Sequence, residues 1–277
     1  MAERVRVEVR DGVADVRLNR PEKLNALDGP MFQALVDTCG SLGEQPAVRA
    51  VVLSGEGRGF CAGLDFAAFE TMAGDRAASA ALADGVRAAG RGLNLGQRAV
   101  ASWSDLEIPV IAAIHGPCLG GGLQLALGAD LRIVAADASL AVLEIRWGLV
   151  PDMGATLALT QLVGADVAKE LCWTGRRLTG AEAVRLGLAT RQAADPRAAA
   201  LELAARIAAN SPDAIRAGKR LLSRAAQRSP AEQLALERQE SSALIGSPHQ
   251  IEAVTAAFEK RPPVFRDPGE RWREGRP

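Results

Sequence analysis

Two glycine-rich loops carry the clearest chemical signal in this chain. The first reads Gly59-Phe-Cys-Ala-Gly-Leu-Asp65 and the second Gly116-Pro-Cys-Leu-Gly-Gly-Gly122, and each follows a short apolar run. Consecutive glycines at the entrance to a helix leave backbone N–H groups pointing outward, where the helix dipole adds positive potential. Such a place suits a phosphate, or a carbonyl oxygen that becomes an oxyanion. Spacing removes the phosphate motifs. Neither loop has the Gly-Lys-Ser/Thr of a P-loop, and Cys118 stands where a GxGxxG fingerprint starting at Gly116 needs its second glycine. A lone glycine triplet serves close packing more often than catalysis. On the loops alone, packing and oxyanion binding both stay open.

The elements that must position these loops are legible from periodicity. Val5 to Val9 and Val13 to Leu18 alternate around Asp11-Gly12, which reads as a hairpin. Asp28-Gly29-Pro30 opens a helix to about Leu42, with Phe32, Leu35, Val36 and Cys39 on one face. Ala50 to Ser54 reads as a strand feeding the first loop. Val110 to Ile114 is a strand feeding the second, followed by a helix from Leu123 to about Gly128 and a strand from Leu131 to Ala135. The stretch from Ala73 to Ser104 is Ala-rich and reads as helical. Beyond Pro151 the pattern turns helical throughout, and Ser229-Pro230 and Ser247-Pro248 open two further helices. The expected fold class is α/β, stacked ββα units with mostly parallel pairing. The division is an α/β body over 1–195 and a helical part over 196–277.

Composition narrows the function classes. Lys+Arg and Asp+Glu both total 33 in 277 residues, so no general positive field exists to attract nucleic acid. Tyr is absent and aromatics make up 4%, which leaves few platforms for stacking bases. The N-terminus lacks the apolar core of a signal peptide, and no apolar run approaches a membrane span. Four cysteines lie far apart without a CxxC pair, and two histidines fit no zinc spacing. The expectation is a cytoplasmic protein with reduced thiols, no metal, no membrane and no nucleic-acid partner.

The chain resembles the crotonase superfamily, which includes the enoyl-CoA hydratases and isomerases, over nearly its whole length. The matching pieces fall in family order: Leu18-Asn-Arg-Pro-Glu-Lys-Leu-Asn-Ala-Leu27, Phe60-Cys-Ala-Gly-Leu-Asp65, Pro109-Val-Ile-Ala-Ala-Ile-His-Gly116 and Gly120-Gly-Gly122. Ala129-Asp-Leu-Arg132, Glu144 with Gly148-Leu-Val-Pro151, Leu178-Thr-Gly-Ala-Glu-Ala-Val-Arg-Leu-Gly-Leu188 and Phe258-Glu-Lys-Arg261 follow. The resemblance implies a spiral core of ββα units with a helical C-terminal region. It also implies an oxyanion hole, built from the N–H groups of Leu64 and Gly121, that grips the thioester oxygen of an acyl-CoA. The α-proton of a thioester is only weakly acidic, so the enolate must be stabilised as it forms, and fixed N–H donors do this well.

Family hydratases carry a glutamate two residues past the last glycine of the triplet, and here that position holds Gln124. The second family glutamate corresponds to Glu144, and Asp152 follows eight residues later. The spacing of Glu144 and Asp152 is similar to that of the dienoyl-CoA isomerases, in which two acids shuttle a proton between carbons. Apolar walls at Leu143, Ile145 and Trp147 would raise a carboxyl towards neutrality, and a shared pocket would couple the two titrations. Gln124 can orient water or a carboxylate but cannot act as acid or base. The bland readings are a surface or helix-entry acid for Glu144 and an N-cap of the helix near Gly154 for Asp152.

The resemblance further implies that Gly120 and Gln124 border the substrate. The nucleotide of coenzyme A, itself part of the substrate and not a separate cofactor, would lie against Lys23, Ala26, Ala62, Asp65 and Phe66. Lys260 matches a family lysine that reaches the CoA phosphates, and serves equally as a helix-dipole partner. His115 and Cys61 read as structural. Family members form trimers paired into hexamers, so a homo-oligomer is expected. The favoured activity is isomerisation of an enoyl- or dienoyl-CoA. The alternatives are a hydratase with Glu144 as single acid, a 3-hydroxyacyl-CoA thioester hydrolase, and a non-catalytic relative that binds acyl-CoA or a protein.

Overall fold

The hairpin forms as expected: β1 (Val5–Arg10) and β2 (Val13–Leu18) pair antiparallel. Asp11 and Gly12 between them both have positive φ, 49° and 78°, the twist that a two-residue hairpin demands. The structure is a computed structural model that describes residues 3–65 and 92–268. Phe66 and most of the Ala73 to Ser104 stretch lie outside the described residues.

β2 continues into α1 (Gly29–Gly43), whose N-cap Asp28 accepts from the Met31 N–H at 2.8 Å. Then come β3 (Ala50–Gly55), α2 (Leu95–Asp105), β4 (Val110–Ile114), β5 (Pro117–Leu119), α3 (Gly121–Leu127), β6 (Leu131–Val134) and β7 (Ser139–Ala141). A 3₁₀ turn, Glu144–Trp147, leads to α4 (Ala155–Leu162), α5 (Ala165–Thr174), β8 (Leu178–Thr179), α6 (Gly180–Arg185) and β9 (Arg191–Gln192). Helices α7 (Pro196–Ala208), α8 (Pro212–Ser223), α9 (Pro230–Leu244) and α10 (Pro248–Phe258) complete the described chain.

The main sheet has the order β1-β2-β3-β4-β6-β9, and every pair after the hairpin is parallel. β3 and β4 read as unbroken apolar runs because both faces are covered. On one face Val51, Leu53, Ala112 and Ile114 join the main core with α1 and α3. On the other, Val52, Ile111 and Ile133 meet Ala200, Ala204 and Ala208 of α7. Small residues four apart form one smooth helix stripe, which lets α7 lie close to the strands.

Two features depart from the periodicity reading. Helix α3 starts at Gly121, not Leu123. Gly122 belongs inside it because a Cβ there would sit 2.4 Å from the Cys61 carbonyl oxygen, so close approach overrides helix propensity. A second sheet, β5-β7-β8, was not expected, since strands of two or three residues carry no readable period.

Candidate active site

The first glycine loop is held by a residue that the motif reading passed over. Leu24 and Asn25 have left-handed φ, 49° and 56°, which asparagine tolerates better than most. The buried Asn25 amide donates to the carbonyls of Glu56, Gly59 and Phe60 at 2.9, 2.9 and 3.2 Å. Its Oδ1 accepts from the Arg20 N–H at 2.8 Å. Arg20 in turn bonds the Ala26 carbonyl at 3.2 Å and pairs with the Asp65 carboxylate. A lone Asn flanked by apolar residues inside a turn was the available signal.

This clamp brings several expected residues together. Ala62 N–H donates to Leu24 O and Asp65 N–H to Leu27 O, both at 2.9 Å, so these two amides are already committed. Ala26 is buried beside them and Lys23 is exposed on the same loop. Leu27 N–H donates to Gly63 O at 2.8 Å, closing a parallel bridge between Leu27 and Leu64. In such a bridge the residues flanking Leu64 make the bonds, so the N–H of Leu64 itself faces the opposite side. Gly63, at φ 97°, makes that turn; a Cβ on it would lie 2.7 Å from Leu119 O and 3.6 Å from Gly121 N. The turn bearing Leu64 is therefore packed directly on the turn bearing Gly121. As the first residue of α3, Gly121 has an N–H without an intrahelical acceptor.

A cysteine and a histidine beside these turns are each held by a backbone carbonyl. Cys61 is fully buried, its thiol donates to Asn25 O at 3.1 Å, and burial pushes its pKa up to about 12. A thiol so protonated is no nucleophile. His115 Nε2 lies 3.0 Å from Gly57 O.

The acids are arranged around Gln124, which is buried mid-helix in α3. Glu144 heads the 3₁₀ turn after β7, the helix-entry place, and is 8% exposed, so it is not a surface acid. Gln124 Nε2 donates to Glu144 Oε1 at 2.6 Å, and Gln124 Oε1 accepts from the Met153 N–H at 2.8 Å. Gly120 adjoins the same carboxyl, since a Cβ there would meet Glu144 Oε1 at 3.5 Å. Glu144 Oε2 is buried with no partner in hydrogen-bond geometry among the described residues. Burial raises the Glu144 pKa; the neighbouring peptide N–H of Glu144, the Gln124 amide and the Leu143 N–H oppose this, while Asp152 adds to it.

Asp152 stands in the exposed turn before α4, and partial burial of its carboxyl raises its pKa too. It is not a helix cap: the N-cap of α4 is Gly154, and no side chain bonds there. A cleft of about 790 Å³ runs past Asp152, Gln124 and Met153, with Val100, Leu127 and Leu157 among its apolar walls. Glu144 does not line this cleft and meets it through Gln124. The expected apolar walls are a correction: Ile145 and Trp147 are 43% and 50% exposed, because a 3₁₀ turn that points Glu144 inward turns its successors outward. Gly120 and Gln124 lie against the Glu144 carboxyl, and Leu143 is half-buried beside it. Lys260 is exposed at the left-handed end of α10 (φ 56°), and among the described residues no side-chain hydrogen bond or ion pair joins it to the other candidates.

A core of this topology, with two glycine turns stacked beside a buried glutamate, defines a crotonase-fold protein. The family profile described as enoyl-CoA hydratase/isomerase matches residues 8–268. The chain belongs to the enoyl-CoA hydratase/isomerase family of the crotonase superfamily. It is 32% identical to the short-chain-enoyl-CoA hydratase of Clostridium acetobutylicum, over 92% of this chain and 94% of that one. It is 31% identical to the peroxisomal Delta(3,5)-Delta(2,4)-dienoyl-CoA isomerase of Arabidopsis thaliana, over 94% and 95% respectively. Among solved structures, an enoyl-CoA hydratase from Bacillus anthracis superimposes with a TM-score of 0.86 at 31% identity, covering 96% of this chain and 100% of the other. No helix among the described residues is long and apolar enough to cross a membrane.

Proposed function

We propose that this chain isomerises an enoyl- or dienoyl-CoA through a thioester enolate, in preference to hydrating one. The observation that carries this reading is Gln124: the position next to Glu144 holds a neutral amide, bonded at both ends, where a second glutamate would be needed to activate water. Glu144 and Asp152 remain as the proton carriers. One carboxylate takes a proton from the carbon next to the thioester. The electron pair spreads onto the thioester oxygen and along the double bonds, and the other acid returns a proton at the far carbon. The two carboxyls exchange protonation states and nothing else is consumed. Raised pKa values suit groups that must both take and give a proton near neutrality.

The N–H groups of Leu64 and Gly121 hold the oxygen as it gains charge. Lys23, Ala26, Ala62 and Asp65 border the nucleotide, and Lys260 serves the CoA phosphates. With two amides committed within the chain, Ala62 and Asp65 offer their carbonyl oxygens to the adenine. Coenzyme A arrives as part of the substrate, and the chemistry needs no further cofactor. Exposed Trp173 and Phe258, at 70% and 83%, support assembly into a trimer or hexamer. A light-scattering mass of one chain would contradict that assembly.

The test sets crotonyl-CoA against a 3,5-dienoyl-CoA. Expected is faster growth of the conjugated 2,4-dienoyl absorbance than loss of the crotonyl absorbance. Hydration of crotonyl-CoA with no diene shift would instead establish the second reading, a single-glutamate hydratase, which the raised pKa of Glu144 favours as a proton donor. Asp152→Asn should depress dienoyl isomerisation more strongly than residual hydration, on the order of 10²-fold or more. Equal loss of both activities would remove Asp152 from the proton path.

A further inference from the structure

We propose that Gln124 is a positioning residue, which pins Glu144 by Oε1 and the 151–153 turn by the Met153 N–H, leaving Glu144 Oε2 as the oxygen that exchanges the proton. This rests on the functional reading above and deepens it. Three observations carry it. First, the amide orientation is not arbitrary: the Met153 N–H can only donate, so the oxygen of Gln124 must face it and the NH₂ must face Glu144. Second, the 2.6 Å bond occupies Oε1, while buried Oε2 meets no donor in full hydrogen-bond geometry among the described residues, the peptide N–H groups of Glu144 and Leu143 acting on the carboxyl more weakly than a formed bond. Unpartnered buried polar atoms are uncommon, and a reacting group is one established reason for them. Third, Gln124 is 1% exposed yet borders the cleft that Asp152 lines, so it is the link between the buried acid and the turn that carries the other.

The physical consequence is twofold. A carboxyl held by one oxygen keeps a single rotamer, which places Oε2 without cost at the moment of reaction. The same bond favours the carboxylate form of Glu144 and offsets part of what burial does to it. Loss of the bond therefore moves the Glu144 titration upward, whereas a purely packing role for Gln124 would leave that titration in place.

The experiment compares wild type with Gln124→Met, which fills similar space without polar atoms, and Gln124→Glu, which still accepts from the Met153 N–H. Carbon-13 NMR of labelled glutamate follows the Glu144 carboxyl directly, and kcat and KM are recorded against pH with the dienoyl-CoA. In Gln124→Met the carboxyl midpoint and the acid limb of kcat are expected to move to higher pH, with kcat falling about tenfold or more while KM changes little. In Gln124→Glu two facing carboxyls share one proton, and the upper midpoint of the pair is expected above that of wild type. Midpoints that stay in place in both variants, or a loss confined to KM, would overturn the proposal. The NMR titration stands without turnover. An inactive wild type with shifted midpoints would sink the isomerase reading and keep the role of Gln124; an active wild type with unmoved midpoints would do the reverse.

Discussion

Glu144→Gln is expected to lower turnover on an enoyl- or dienoyl-CoA by on the order of 10²–10⁴-fold, the usual worth of a positioned proton carrier. Binding of the CoA thioester, measured by titration calorimetry, should persist. The substitution is nearly isosteric, and the new amide oxygen can still accept the bond that Gln124 Nε2 now gives to Oε1. Only the capacity to hold and release a proton is lost. Turnover within a factor of about two of wild type would remove Glu144 from the chemistry.

The same substitution should change stability in a pH-dependent way, with the sign set by the raised carboxyl. Its pKa in the folded chain lies above the ordinary carboxylate value, so the folded state holds that proton more tightly than the unfolded one. Its contribution is then fully present below the unfolded pKa and is lost as pH rises through the folded one. The amide that replaces the carboxyl has no charge to bury. The variant should be more resistant to urea than wild type at about pH 8 and lose that advantage at about pH 4, below the raised carboxyl. An advantage of equal size at both pH values would mean that burial does not strain the ionised form.

The second large effect is expected at Gly121, where a backbone donor can be deleted by an ordinary substitution. Gly121 is the first residue of α3, the one helical position that accepts proline readily, because its N–H has no intrahelical partner. The preceding Gly120, at φ 52° and ψ −122°, sits in a region open to glycine before a proline because it mirrors an extended conformation. Gly121→Pro therefore removes the N–H with little demand on the chain. A new Cβ would approach Leu27 Cδ1 at 3.1 Å and Met153 Sδ at 3.3 Å, both flexible side-chain ends. Gly121→Ala adds the same Cβ and keeps the N–H, so the ratio of the two variants reads the loss of the donor together with the proline ring carbon that takes the place of its hydrogen. Proline is expected to fall below alanine by about 10²–10³-fold in kcat, or ~3–4 kcal/mol of transition-state stabilisation. Equal rates for the two would mean that the thioester oxygen is held elsewhere.

Much of this arrangement is legible in the chain. The hairpin follows from Asp11-Gly12 between alternating valines, and the parallel strands from apolar runs that suit two covered faces. Helix starts are written in Asp28-Gly-Pro, Ser229-Pro and Ser247-Pro, and each capping side chain makes its bond. Motif order led to the family, which a profile over residues 8–268 supports independently. The identity of Gln124, and with it the argument against paired glutamates, needed no coordinates. These are local matters: backbone preference and side-chain period act over a few residues and survive without tertiary context.

What only the tertiary structure decided was direction and neighbourhood. Trp147 and Ile145 looked like walls for Glu144 and instead face outward, since a 3₁₀ turn sends adjacent side chains to different sides. The bland alternative for Asp152, a cap of the following helix, is removed by the structure, where Gly154 holds that position. Asn25 reads in the sequence as one residue of the Leu18–Leu27 motif with no role of its own, and in the fold its amide holds three carbonyls of a loop more than thirty positions away. The bond from Gln124 to Glu144 joins residues twenty apart, and the one from Met153 joins residues twenty-nine apart. A sequence specifies which groups exist and how each stretch prefers to bend. Which groups meet, and which carboxylate oxygen is left without a donor, depends on how those stretches pack, because hydrogen bonds and burial act through space and not along the chain.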